Sequence, residues 1–185
     1  MNLEQLLGKE LQDFEDRVFQ YFTELGIFEK VRFLSADHLG LRLKDVSDIQ
    51  ALKNDLEKNG SMISSAVVNG REILIYKMIL PIKIKNWSIP CIELPYPKLG
   101  HSYPDGWEHI EMVIPSSAMT LDELRHDFQV FFPDINIESL KQKGQYSEDE
   151  PKSESDQLPN PTIALRKNKI TTIKFHARTI EEIVS

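Results

Sequence analysis

Two stretches of this chain look like copies of one strand. One is Asp37-His38-Leu39-Gly40-Leu41-Arg42-Leu43, and the other is Glu108-His109-Ile110-Glu111-Met112-Val113-Ile114. In each, an acid precedes a histidine, and apolar residues then alternate with other types. Such alternation marks a half-buried strand, because successive side chains point to opposite faces. The segments downstream of the two stretches repeat as well. After the first, Ile49, Leu52 and Leu56 line one face of a helix that Ser47 or Asp48 caps and Asn59-Gly60 ends. Met62 to Val68 and Glu72 to Met78 read as strands joined at Asn69-Gly70, since a type I′ turn needs positive φ at both central positions. A proline-containing connection then leads to a fourth strand, Trp87 to Leu94, which Pro95 and Pro97 stop.

After the second stretch, Thr120 and Glu123 form a capping-box pattern, with Leu121, Leu124, Phe128 and Phe131 as the apolar face. Strands are expected at Ile135 to Leu140, Thr162 to Leu165 and Ile170 to Ala177, and Thr179 caps a short last helix. The order strand, helix, strand, strand, strand therefore occurs twice. Between the expected strands, Lys141 to Asn160 is poor in large apolar residues, which predicts a mobile hairpin loop or lid. Ahead of the repeats, Leu3, Leu7, Leu11, Phe14, Val18, Tyr21, Phe22 and Leu25 recur at helical spacing up to Gly26. That stripe packs on the rest of the chain or on a second copy, giving a monomer or a homodimer. The predicted organisation is an α+β chain: an N-terminal helix over 1–30, one βαβββ module over 31–97 and a second over 98–185, joined as one structural domain.

Composition excludes several classes of partner. The 185 residues carry a net charge of −7 and no dense basic stretch, which argues against nucleic-acid binding. Cys91 is the only cysteine, so no intrachain disulfide forms, which fits a reducing compartment. The N-terminus lacks the basic and apolar regions of a signal peptide, and the apolar stretches are too short to span a bilayer. The expectation is a cytoplasmic protein with no membrane partner.

Strand parity groups the chemistry. His38, Gly40 and Arg42 share a face, as do Cys91, Glu93 and Pro95; His109, Glu111 and Val113; and Lys174, His176 and Arg178. In the first and last rows the opposite parity is strongly apolar, which would turn the polar row toward a concave cavity. The plain alternative is that these rows face solvent, as on any one-sided sheet. A histidine early and a potential ligand late in each repeat point to one shared metal site of His38, Glu93, His109 and His176. Imidazole with carboxylate suits zinc, iron, nickel or manganese, and leaves coordination positions open for a substrate. Glu111 is a further ligand or a general base. Arg42 can hold a substrate carboxylate through its planar fork, with Lys174 and Arg178 as further cations on these faces. Cys91 reads as a small buried apolar residue, and His101 and His126 as surface residues.

Three stretches carry a family resemblance: Ala36-Asp37-His38-Leu39-Gly40-Leu41-Arg42, Ile92-Glu93-Leu94-Pro95-Tyr96-Pro97 and Gly106-Trp107-Glu108-His109-Ile110-Glu111. With the long leading helix, they resemble the YecM family. The duplicated module resembles the wider vicinal oxygen chelate superfamily, which includes glyoxalase I, methylmalonyl-CoA epimerase and the extradiol dioxygenases. That resemblance implies paired βαβββ modules whose curved mixed sheet wraps a cleft around one divalent metal, with His38, Glu93, His109 and His176 at the metal positions. The superfamily often has glutamate at the last of these, where this chain has His176. The function it implies is a metal-dependent isomerase, lyase or dioxygenase-like oxidoreductase on a small, oxygen-chelating substrate, and the cations Arg42, Lys174 and Arg178 beside the expected ligands favour an anionic one. The rival is a non-catalytic protein that binds a small ligand or a metal on the same fold.

Overall fold

The computed structural model describes residues 2–98, 100, 103–153 and 156–184; the surface position expected for His101 lies outside them. The chain opens with α1 (Leu3–Gln5), one π-helical turn (Leu6–Glu10) and α2 (Leu11–Glu24). Asn2 caps α1 by accepting from the Gln5 N–H at 2.9 Å. The break falls at Gly8, whose ψ of −123° lies outside the helical region. Leu3, Leu11, Phe14, Val18, Tyr21 and Phe22 of the stripe are buried in the chain's own core and Leu25 packs against it, whereas Leu7 is exposed and Leu6 is buried in its stead.

A short α3 (Phe28–Val31) comes next, and only then β1 (Ser35–Arg42). The module expected from residue 31 thus opens on a helical turn, because Ile27 and Val31 bury together and the Val31 N–H donates to the Ile27 carbonyl. The first module continues with α4 (Val46–Asn59), β2 (Gly60–Val68), β3 (Arg71–Ile84) and β4 (Trp87–Pro95). Asp45 occupies the N-cap of α4, ahead of the expected Ser47 or Asp48. Asn69 and Gly70 have φ of 51° and 77°, as their turn requires. The expected proline connection is instead strand. β3 runs on to Ile84, past an irregularity between Lys77 and Ile82 that seats Pro81 where no ladder donor is needed.

The second module is β5 (Gly106–Val113), α5 (Leu121–Phe131), α6 (Ile137–Gln142), β6 (Tyr146–Asp149), β7 (Thr162–Asn168), β8 (Thr171–His176) and α7 (Ile180–Val184). The capping box at Thr120 and Glu123 forms as expected. The strand expected at Ile135 to Leu140 is the helix α6. Asn136 caps it through the Ser139 N–H at 2.9 Å, and Ile137 and Leu140 bury at helical spacing. The polar segment expected as a lid contributes the edge strand β6. That strand is anchored by charge: Arg125 donates to both carboxylate oxygens of Glu148, at 2.7 and 2.6 Å.

All eight strands form one sheet in the order β2-β3-β4-β1-β5-β8-β7-β6. The order is the same read from either end with the modules exchanged. β1 pairs parallel with β4 and β5 parallel with β8, while β1 and β5 meet antiparallel at the centre. The two modules are thus related by an approximate two-fold axis through the β1–β5 seam. Leu39, Leu41, Ile92, Leu94, Ile110, Met112, Ile173 and Phe175 bury together with the apolar faces of α2, α4 and α5 on one side of the sheet. The other side holds a cavity, flanked by a small cluster in which Ile75 and Cys91 pack with Ile180 and Ile183 of α7. Among the described residues no helix is long and apolar enough to cross a membrane.

Candidate metal centre

The seam between β1 and β5 carries the acid–histidine pairs, and each acid sits at a break in register. Ala36 pairs with Met112 and His38 with Glu111, leaving Asp37 unmatched. Gly40 pairs with His109 and Leu41 with Trp107, leaving Glu108 unmatched. A bulge of this kind sets two residues of one strand against one of its partner and re-aims side chains. Each acid is thereby turned to the side of its histidine. The same slip sends Ala36 and Trp107 to the core, where the Trp107 indole donates to the Leu6 carbonyl at 2.9 Å. Strict parity places the acids on the opposite face, so their role was hidden in the sequence pattern.

Asp37 is the better engaged of the two. Its Oδ2 lies 2.7 Å from His38 Nδ1 and accepts the Ile180 N–H at 2.9 Å, so it ties the start of α7 to the site. With Nδ1 turned to Asp37, His38 Nε2 faces the cavity and the carboxylates of Glu111 and Glu93. Glu108 stands 3.5 Å from His109 Nδ1 and is shared with Arg42, whose Nε donates to it. The His109 ring lies over Gly40: a Cβ there would come within 1.9 Å of it. Glycine at 40 is therefore a requirement of space.

Four donors converge: His38, Glu93, His109 and Glu111 each offer an atom, all within 4.8 Å of one another. Glu111 Oε1 lies 3.1 Å from His38 Nε2 and 3.4 Å from His109 Nε2. Glu93 lies 3.8 Å from each of these nitrogens. Lys174 Nζ donates to Glu111 Oε1 at 2.6 Å and lies 3.4 Å from His109 Nε2. Burial disfavours charge on all these groups, and their neighbours decide the outcome. His38 is held well above the usual imidazole range by Glu111 and by hydrogen bonds to Asp37, Glu111 and Glu93. Burial and the Lys174 ammonium push His109 down. Lys174, with the two histidines, outweighs burial at Glu93, which stays far below the usual carboxylate range. At Glu111 the charges of His38 and Lys174 do the same.

The donor set fits a divalent transition ion. Imidazole is a borderline ligand and carboxylate a hard one, both taken by such ions; His38 Nε2 points among the other donors, and their separations approach those around one ion. Sequence reasoning placed three of these four at the metal and kept Glu111 as ligand or base. It placed His176 fourth, and the register explains why that residue falls outside the cluster. Gly40 pairs with Glu93, two residues beyond His38, whereas Glu111 pairs with Lys174, two residues beyond His109. The two-fold equivalent of Glu93 is thus Lys174. His176 lies behind His38, fully buried, its Nε2 3.6 Å from Asp37. Burial pushes its imidazole down, toward the neutral form.

The cavity beside the cluster measures about 250 Å³; His38, Glu93, Glu111 and Lys174 line it, and so do Arg42, Arg71, Lys98 and Arg166. Ser147, Asp149 and Asn160, from the segment expected to border the cleft, also line it. Arg178, expected as a substrate cation, donates instead to the carbonyls of Ser117 and Ala118 in the loop before α5. Its guanidinium is spent on that loop. Arg71 was not singled out in the sequence, because its position just after a tight turn marks an ordinary surface residue. Cys91 is buried beside the site but apart from the donors, its thiol pushed up to about 12 chiefly by burial.

Two strand–helix–strand–strand–strand units share one sheet, and a histidine from each meets the other across the seam. The model of the YecM protein family matches residues 2–185, and the chain belongs to that family. It is 35% identical to Protein YecM of Escherichia coli K12 over 156 residues, covering 82% of this chain and 78% of that protein. An uncharacterized protein of Haemophilus influenzae is 32% identical over 185 residues, covering 95% of this chain and 91% of its own length. A solved structure described as Structural Genomics, Protein EC4020, superposes with a TM-score of 0.67 at 32% identity, over 95% of this chain and 91% of that one.

Proposed function

We propose that the protein binds one divalent transition metal through His38, Glu93, His109 and Glu111, and that it acts as an enzyme on a small anionic substrate that chelates through neighbouring oxygens. The observation that carries this reading is the convergence of two imidazoles and two carboxylates at the seam, beside a cavity rich in cations. When bound, such an ion supplies Lewis-acid polarisation of substrate oxygens. The chain's own residues do the rest. Asp37 holds the His38 ring and its tautomer. Gly40 leaves room for the His109 ring. Lys174 holds the Glu111 carboxylate and adds positive charge where a substrate anion would approach. Arg42, already on Glu108, offers a further N–H to a carboxylate.

A second reading is a binding protein that holds a metal or small ligand without turning it over. Lys174 favours it, since it sets an ammonium where the matching half of the repeat has a ligand. Thermal stabilisation of metal-loaded protein by 2-oxo acids, 2-hydroxy acids and neutral diols tests the substrate class. A ligand at about 100 times its dissociation constant adds roughly 2.7 kcal/mol. Acids are expected to stabilise, and Arg42→Ala to weaken acids while sparing diols. Stabilisation by neutral compounds alone, or equal loss of both classes, contradicts the anion preference. Turnover of a stabilising acid separates the enzyme from the binding protein.

A further inference from the structure

The cavity is lined by more than the donor cluster. Arg42 lies two residues beyond Gly40 on the same face of β1, and Arg71 opens β3 just after the Asn69-Gly70 turn. Both line the one cavity. Arg42 Nε is taken by Glu108, yet its Nη1 is buried without a partner, and so is Nε of Arg71. A buried donor left unmade costs free energy, and more when it belongs to a charged group. Here two guanidiniums bear this cost side by side. Burial and the nearby Arg42 charge both push Arg71 down, with Glu93, Tyr103 and Glu108 offsetting them only in part. Lys98 and Arg166 add cations to the lining, where Asp149, in contact with Asn69 at 3.3 Å, joins Glu93 and Glu111 as acids. Glu93 and Glu108 offset this positive charge only in part, and no acid among the described residues partners Arg42 Nη1 or Arg71 Nε.

We propose that Arg42 and Arg71 form a seat for a second anionic group, so that the cleft takes a small dianion: neighbouring oxygens at the donor cluster and a carboxylate or phosphate at the guanidinium pair. This rests on the reading of the donor cluster as a metal centre. Guanidinium forks match both carboxylate and phosphate through paired N–H bonds, so the chemistry is shared between the two groups. The cavity of about 250 Å³ is roughly eight water volumes, which limits the ligand to a small molecule.

Binding is measured by calorimetry on the full chain, with metal content determined on the same samples. The probes are lactate, 2-hydroxyglutarate, its distal amide, and 3-phosphoglycerate. All four offer a 2-hydroxy acid to the donor cluster, and only the second and fourth carry a distal anion. At least one of these two is expected to bind tenfold or more tightly than both lactate and the amide, about 1.4 kcal/mol. Which one it is tells carboxylate from phosphate. Arg71→Gln should bring that ratio to near one in a chain that still folds and keeps its metal content, and Arg71→Lys should restore part of it. A ratio near one in the unaltered protein, a ratio untouched by Arg71→Gln, or no binding of any probe overturns the proposal. A protein that takes up metal but ignores the distal charge loses the anion seat alone. A protein that prefers the dianion but takes up no metal loses the metal reading alone.

Discussion

The two halves of the sheet share one plan and differ at three matched positions. Two residues beyond its histidine, the first half has Gly40 and the second has Glu111. On the neighbouring parallel strand, the first half has Glu93 and the second has Lys174. At the bulge, the first half has Asp37, bonded at 2.7 Å to its histidine, and the second has Glu108, which stands 3.5 Å off and is shared with Arg42. A duplicated framework thus positions groups in pairs, while single side chains decide what each pair does. The empty place at Gly40 accepts the ring of His109. The filled place at Glu111 supplies a donor. Exchange of a carboxylate for an ammonium on the fourth strand removes a ligand and leaves a fixed cation in its stead.

Substitutions that erase these differences test them most sharply, and filling the empty place should have the largest effect. Gly40→Ala puts a methyl group into the His109 ring, and overpacking of this kind costs about 1 to 3 kcal/mol. Lower stability in urea should come with metal uptake below the wild-type level, because the ring must leave its place. Full stability and full metal content together would show that the ring is free to lie elsewhere.

The two bulge acids come next. Loss of a carboxylate that orients a metal-bound histidine typically costs about 10- to 100-fold in metal affinity. Asp37→Asn should fall in that range. Glu108→Gln should cost clearly less, since that carboxylate makes no close bond to its histidine. Competition with a chelator gives both constants, and equal losses would mean that the closer contact at Asp37 confers no advantage.

The smallest effect concerns the outer edges. β2 is nine residues long, whereas β6 has four and depends on Arg125 and Glu148. The Arg125 hydrogen bonds, with help from Tyr146, lower Glu148 from the usual 4.5 to about 2 against opposing burial. A carboxyl lowered on folding contributes stability that is present above about 4.5 and is lost as pH falls toward about 2. Glu148→Gln should therefore lower the urea midpoint at neutral pH and flatten its decline between those limits. An unchanged decline would assign it to other carboxylates.

Much of this was legible in the sequence because it depends on local rules. The repeated order of strands, the Asn69-Gly70 turn, the Thr120 capping box and the facing histidines all arise from periodicity and turn chemistry. What stayed hidden depends on register. A bulge shifts parity by one residue, so Asp37 and Glu108 could not be placed beside their histidines. The parallel pairing of β5 with β8 decides between Lys174 and His176 as the counterpart of Glu93, and both share the face that parity predicts. The edge strand β6 was hidden because ion pairs, and only one partly buried tyrosine, hold it in place. The helix at Ile137 was hidden because its six residues are too few to show a helical period.

Everything proposed for the seam depends on one divalent ion seated among His38, Glu93, His109 and Glu111. Elemental analysis of protein prepared without chelator or histidine tag, compared with His38→Ala and His109→Ala, tests that ion most directly. One transition ion per chain is expected in the unaltered protein and a large loss in both variants, with the chains still folded. Metal content unchanged by both substitutions, or no ion taken up by the unaltered protein on loading, would contradict it.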